Sequence, residues 1–100
     1  MSEIKKDNNR ASITLEKDIV ASNIDAIKIE LKQLLAEGIT EITIDLSLVE
    51  MMDSMGIGIL IATHNSLKKL DSQLTLINTS ADILTLLKTM RLHEHFRIES

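Results

Sequence analysis

The sequence predicts a single α/β domain with a mostly parallel central sheet and helices packed on it. Strand-like and helix-like segments alternate along the 100 residues, which is typical of parallel strands joined by right-handed helical crossovers. The apolar residues are almost all aliphatic, with Phe96 as the single aromatic residue, and this suits a mostly buried sheet. The length is that of one domain. We therefore assign residues 1–100 to one domain, with a core over about residues 12–98.

The first third of the chain predicts a strand and a helix. Residues 12–16 alternate between apolar and polar types and predict a strand, while residues 3–6 show a weaker strand pattern. Ser22 or Asn23 can cap the helix that follows, and Gly38 can end it. The apolar residues between them recur at helical spacing: Ile24, Ile27, Leu31, Leu34 and Leu35.

The middle of the chain predicts a second strand and a second helix. Residues 41–46 alternate and are rich in β-branched types, so they form a strand. A helix follows the loop after this strand and ends near Lys68 and Lys69, whose charge suits a helix C-terminus. Its predicted apolar positions are Ile57, Leu60, Ile61, Leu67 and Leu70.

The last third predicts a third strand over residues 74–77 and a third helix capped by Thr79 or Ser80. Residues 92–96 predict one more turn or short helix. The apolar face of the third helix comprises Ile83, Leu84, Leu87 and Met90. The pattern leaves the order of the strands open.

Composition and charge exclude several classes of function. The formal net charge of −4, the short basic clusters and the near absence of aromatic residues disfavour nucleic-acid binding. There is no cysteine, so thiolate metal sites, thiol nucleophiles and disulfides are excluded. The first nine residues do not resemble a signal peptide, and no apolar stretch approaches the ~20 residues that span a bilayer. We expect a cytoplasmic protein without direct membrane insertion.

The candidate functional segment is Met52-Asp53-Ser54-Met55-Gly56-Ile57-Gly58, which follows the second strand. Sites in open α/β folds collect where strands end and helices begin. Both glycines fall in the first turns of the helix, where each costs roughly 1 kcal/mol relative to alanine. Close backbone packing, a docking partner or a tight turn would explain the pair.

Ser54 lies at the expected start of that helix and is a candidate phosphate acceptor. A phosphoryl group there would add a charge of about −1.5 to −2, and the free N–H groups and dipole of a helix N-terminus favour anions. We expect the domain to tolerate the modification, with the effect falling on a partner. Asp53 and Ser54 are also common N-cap residues, so a cap alone would account for them.

The segment resembles the signature of the STAS domain family, in particular the bacterial anti-sigma factor antagonists. The family motif is Asp-Ser-Ser/Thr-Gly-Leu-Gly after a strand of the form Ile-Asp-Leu, as in Ile44-Asp45-Leu46. The resemblance extends to Asn78-Thr79-Ser80 before the third helix and to the leucine-rich residues 87–92. It covers about residues 12–98.

The resemblance implies a function for each motif residue. Ser54 would be phosphorylated by a partner that is both anti-sigma factor and serine kinase, and a serine phosphatase would reset it. The unphosphorylated form would bind the partner and free the sigma factor. The domain would be no enzyme and would need no cofactor, since the kinase supplies ATP and Mg²⁺. The partner-binding residues would be Asp53, Ser54, Met55, Gly56, Ile57 and Gly58.

Two departures from the family pattern keep an alternative open. Met55 replaces the usual Ser or Thr after the acceptor, and Val20 stands where many antagonists have an acidic residue in a loop that helps bind the kinase. The alternative is a constitutive STAS subunit of another signalling or lipid-transport assembly, in which Ser54 is only a cap. A small hydrolase is a third hypothesis.

The remaining candidate residues have structural interpretations. His93 and His95 could suggest a metal site, but their spacing points the rings apart on a helix, so a solvated turn is expected. We expect His64 to lie at the rim of the core. The carboxylates Asp45, Glu50 and Asp53 are expected at the surface. One of Met51 and Met52 should fill the core, because adjacent side chains of an extended segment face opposite ways, and Met55 should be exposed.

Overall fold

The computed structural model describes residues 2–99, which form five strands and three helices. Their bounds in chain order are β1 Glu3–Asp7, β2 Arg10–Thr14, α1 Ile24–Ala36, β3 Glu41–Asp45, α2 Ser54–Lys68, β4 Thr75–Ile77, α3 Ala81–Thr89 and β5 Arg97–Glu99. Two short 3-10 turns cover Ala21–Asn23 and Leu92–Glu94. The predicted segments are all present.

The five strands form one sheet in the order β1-β2-β3-β4-β5. β1 pairs antiparallel with β2 through a tight turn in which Asn8 adopts the left-handed region, with φ 56°. The other three pairs are parallel. Parallel neighbours need a long crossover connection between them, usually a helix. The predicted α/β class with a mostly parallel sheet is confirmed.

One strand was not predicted from the sequence. β5 comprises only Arg97–Glu99 and pairs parallel with β4. Three residues with a single half-buried apolar side chain, Ile98, give no alternation long enough to detect.

The helix ends follow the predicted signals with one exception. Gly38 has φ 88° just beyond α1, and the Ser80 hydroxyl caps α3 by accepting from the Ile83 N–H at 3.2 Å. The prediction that Ser22 or Asn23 caps α1 is wrong. Asn23 stands at the cap position, but the preceding 3-10 turn already gives it a helical backbone, and its side chain donates to the Asp18 carbonyl instead.

Side chains from the sheet and from all three helices belong to one hydrophobic cluster. Its fully buried members include Ile13, Ile44, Leu76, Leu31, Leu60 and Leu87. Three residues predicted on apolar helix faces are exposed. Leu70 and Met90 lie just past the ends of α2 and α3, and Ile61 lies at the edge of the buried stripe of α2.

Candidate functional site

The predicted motif lies where the loop after β3 enters α2. The helix begins at Ser54, and Asp53 is its N-cap, with an extended backbone at φ −106° and ψ −176°. The Asp53 Oδ1 atom accepts from the Met55 and Gly56 N–H groups, both at 3.0 Å. The aspartate therefore satisfies two of the helix-terminal amides, which are not free for a phosphate while Asp53 holds them.

The same carboxylate also reaches a second loop. Its Oδ2 atom accepts from the Ala21 N–H at 2.9 Å. The hydrogen bonds from Gly56 and then Ala21 lower the pKa of Asp53 below its usual 3.8, with a further contribution from Met55. Asp53 is therefore a charged residue at neutral pH.

Two loops meet at this point: the first loop, residues 15–23, and the second loop, residues 46–53. Ile19 donates its N–H to the Met51 carbonyl at 3.0 Å and accepts from the Asp53 N–H at 3.2 Å. Asp18 Oδ1 accepts from the N–H groups of Glu50 at 2.8 Å and Met51 at 3.2 Å. Sequence reasoning missed Asp18, because a single aspartate in a polar loop carries no pattern.

The two glycines of the motif have different environments. A Cβ atom on Gly56 would lie less than 3.0 Å from the carbonyl oxygen and the side chain of Ile19, so this glycine is explained by close backbone packing. A Cβ atom on Gly58 would meet nothing within 4 Å. Gly58 is exposed, and internal packing does not account for it.

The predicted partner-binding residues divide into an exposed and a buried group. Ser54, Met55 and Gly58 are exposed, with 54% of the Met55 surface accessible. Asp53 is half-buried, whereas Gly56 and Ile57 are buried. The second loop also carries two exposed apolar side chains: Leu48 and Met51.

The methionines behave as predicted. Met51 is 63% exposed, while its neighbour Met52 is half-buried and packs against the core. Met52 also forms an isolated parallel bridge with Ile19. The extended backbone at this bridge places the two side chains on opposite sides.

Asp45 lies at the end of β3 and orders the turn that follows. Its Oδ1 atom accepts from the Ser47 N–H at 2.9 Å and from the Asn78 side chain at 3.1 Å. Burial raises the pKa of Asp45, but the hydrogen bonds from Ser47 and Asn78 outweigh this effect and lower it below 3.8. Asp45 therefore links the end of β3 to Asn78, the residue after β4.

The histidines lie outside this segment. His64 is 8% exposed, accepts weakly from the Leu74 N–H at 3.4 Å and contacts Phe96 edge-on at 5.2 Å. Burial lowers the pKa of His64, and the positive charges of His95 and Lys68 lower it further. His93 and His95 are exposed. Within residues 2–99, no group of three or more His, Cys, Asp or Glu side chains could hold a metal ion.

The model of the STAS domain family matches residues 2–100. No curated protein matches the chain. Across the part of the chain that the structure describes, no helix is long and apolar enough to cross a membrane.

Several solved structures share the fold at low sequence identity. A proposed anti-sigma factor antagonist from Thermotoga maritima has a TM-score of 0.93 and 19% identity, over 99% of this chain and 86% of that one. An anti-sigma factor antagonist from Mycobacterium paratuberculosis has a TM-score of 0.87 and 19% identity, over 99% and 84%. The phosphorylated form of the Bacillus cell fate determinant SpoIIAA has a TM-score of 0.77 and 16% identity, over 100% and 92%.

Proposed function

Because the chain belongs to the STAS domain family, we propose that it is a non-catalytic protein-interaction module switched by phosphorylation of Ser54. In its unphosphorylated form it binds a partner of the anti-sigma factor type that is also a serine kinase. A serine phosphatase reverses the modification. The module works in the bacterial cytoplasm, where the kinase has ATP and Mg²⁺.

The exposed position of Ser54 at the start of α2 carries this proposal. Asp53, rather than the Ser54 hydroxyl, caps the helix, so the Ser54 hydroxyl does not serve as the cap acceptor. The fixed helix start presents the hydroxyl on a rigid element. The proposal also takes the helices to pack on the sheet, which the shared hydrophobic cluster supports.

A phosphate on Ser54 would change the surface that a partner meets. It brings a charge of about −1.5 to −2 beside the exposed, uncharged side chain of Met55. A partner that covers Met55 and Gly58 with apolar atoms would then have to desolvate a dianion. This accounts for release of the partner without unfolding of the domain.

The proposal is tested by isolating the kinase that co-purifies with this chain and mapping the phosphate that it adds. Incubation of the chain with that kinase, ATP and Mg²⁺ is expected to add one phosphate, which mass spectrometry locates on Ser54. Ser54→Ala should abolish the modification and keep partner binding. Ser22→Ala is the matched control, since Ser22 is an exposed serine of the neighbouring loop, and it should leave the modification in place. A phosphate found only on another residue would contradict the assignment.

A constitutive STAS subunit of another signalling or lipid-transport assembly is the second candidate. The exposed Met55 favours it, because an apolar residue beside the acceptor suits permanent docking. Ser54→Asp discriminates between the two functions. A complex that tolerates this variant, together with transporter genes next to the gene for this chain, would favour the constitutive subunit.

A further inference from the structure

The first and second loops hold each other through a reciprocal pair of carboxylates. Asp18 of the first loop accepts from the backbone N–H groups of Glu50 and Met51 in the second loop. Asp53 of the second loop accepts from the backbone N–H of Ala21 in the first loop, at 2.9 Å. Each loop therefore supplies a charged acceptor for the backbone of the other.

Only one of these two carboxylates is also bound to α2. Asp53 accepts from Met55 and Gly56 with Oδ1 while it holds Ala21 with Oδ2. Among the described residues, the Asp18 carboxylate accepts only from the backbone of the second loop. Asp53 thus connects the helix end that carries Ser54 directly to the first loop.

We propose that a phosphate on Ser54 displaces the Asp53 carboxylate and releases the Ala21 N–H, so that phosphorylation loosens the first loop. The phosphate has three acceptor oxygens and a larger charge than the carboxylate. It competes for the amides of Met55 and Gly56 at the positive end of α2 and repels Asp53 at the same time. This inference rests on the proposed function and deepens it.

The release is local. Ala21 is exposed, so its freed N–H can bind water. The N–H groups of Glu50 and Met51 keep their partner, because Asp18 is not bound to the helix end. A partner therefore meets two changes, the added charge at Ser54 and an altered first loop near Ala21.

The experiment uses the full chain with phosphoserine inserted at position 54 during translation, so that no kinase is required. NMR amide exchange and chemical shifts are measured with and without the phosphate. Exchange at Ala21 is expected to rise roughly tenfold, the factor for loss of one charge-assisted hydrogen bond. The amides of Glu50 and Met51 should not change.

Three variants without phosphate calibrate the result. Asp53→Ala should reproduce the rise at Ala21. Asp18→Ala should give the reverse pattern, with faster exchange at Glu50 and Met51 and little change at Ala21. Ser54→Glu should raise amide exchange at Ala21, as phosphoserine does, but by a smaller factor. This variant replaces the phosphoserine chain if that chain folds poorly.

Two outcomes would overturn the inference. One is an Ala21 amide that responds to Asp53→Ala but not to phosphoserine, since the phosphate then acts on the partner alone. The other is equal loosening of Ala21, Glu50 and Met51, which would mean that the whole junction opens. If the cognate kinase does not phosphorylate Ser54, the proposed function is wrong. This test can still be interpreted, because the phosphoserine is inserted without a kinase.

Discussion

The backbone carbonyl of Ile19 leaves no room for a side chain on Gly56. The contact joins the first loop to the first turn of α2, next to the hydrogen bond from the Asp53 N–H to the same carbonyl oxygen. One glycine of the motif therefore sets how closely the helix start approaches the first loop. The other, Gly58, has no such neighbour.

Gly56→Ala is expected to destabilise the fold. The added methyl group meets backbone as well as a side chain, so the loop must shift, and overpacking of this kind costs about 1–3 kcal/mol. Urea unfolding followed by circular dichroism measures the free energy of unfolding. A variant as stable as the natural chain would show that the contact is not tight.

Gly58→Ala is the matched control and separates folding from binding. A Cβ atom at this position enters open space, so the higher helix propensity of alanine should raise the free energy of unfolding by about 0.5–1 kcal/mol. If Gly58 lies under the partner, the same variant should weaken the complex. Unchanged affinity with raised stability would remove Gly58 from the proposed interface.

The two capping side chains should differ in their contribution to stability. Ser80 accepts one backbone N–H at the start of α3, and Ser80→Ala should lower the free energy of unfolding by about 1 kcal/mol. Asp53 accepts three backbone N–H groups across two elements, so Asp53→Ala should cause a larger loss. The free energy of unfolding of Asp53→Asn should lie between that of Asp53→Ala and that of the natural chain. A smaller loss for Asp53→Ala than for Ser80→Ala would contradict the hydrogen-bond network.

His64 should make stability depend on pH below neutrality. In the unfolded chain its pKa is near 6.5, and burial lowers it in the folded state. The His64 contribution to stability is therefore full above pH 6.5. It falls as the pH drops toward the folded pKa, because the unfolded chain binds the proton first. Urea unfolding at a series of pH values from neutral to mildly acidic measures this decline.

A pair of histidine variants identifies the source of the decline. His64→Gln should reduce the fall in stability below pH 6.5, whereas His93→Gln, at an exposed position, should leave it in place. An unaltered pH profile in His64→Gln would show that burial of this ring does not control the titration.

Much of the fold could be predicted because the local signals agree with the final structure. Gly38 and Ser80 mark helix ends through their own backbone or side-chain chemistry. The alternation of residues 41–46 predicts β3 because one face of the strand is buried. In contrast, Asn23 at the start of α1 donates to Asp18 instead of capping, and only the tertiary arrangement of the first loop reveals this.

The candidate site could be predicted only in part. The segment Asp53–Ser54 is visible as a helix start in the sequence, but the separate roles of Gly56 and Gly58 are not. They depend on Ile19, which comes from a distant loop. Asp18 gives no sequence signal for the same reason, since its hydrogen-bond partners are backbone amides far along the chain.

The measurement that tests the central claim most directly is the affinity of the co-purified partner for two forms of the chain. One form is unmodified, and the other carries phosphoserine at position 54. Isothermal titration calorimetry under the same buffer and salt conditions gives both values. The proposed switch predicts that the phosphate weakens binding at least roughly tenfold, the effect of about 1.4 kcal/mol. Equal affinity for the two forms would contradict the switch and leave a constitutive subunit as the better account.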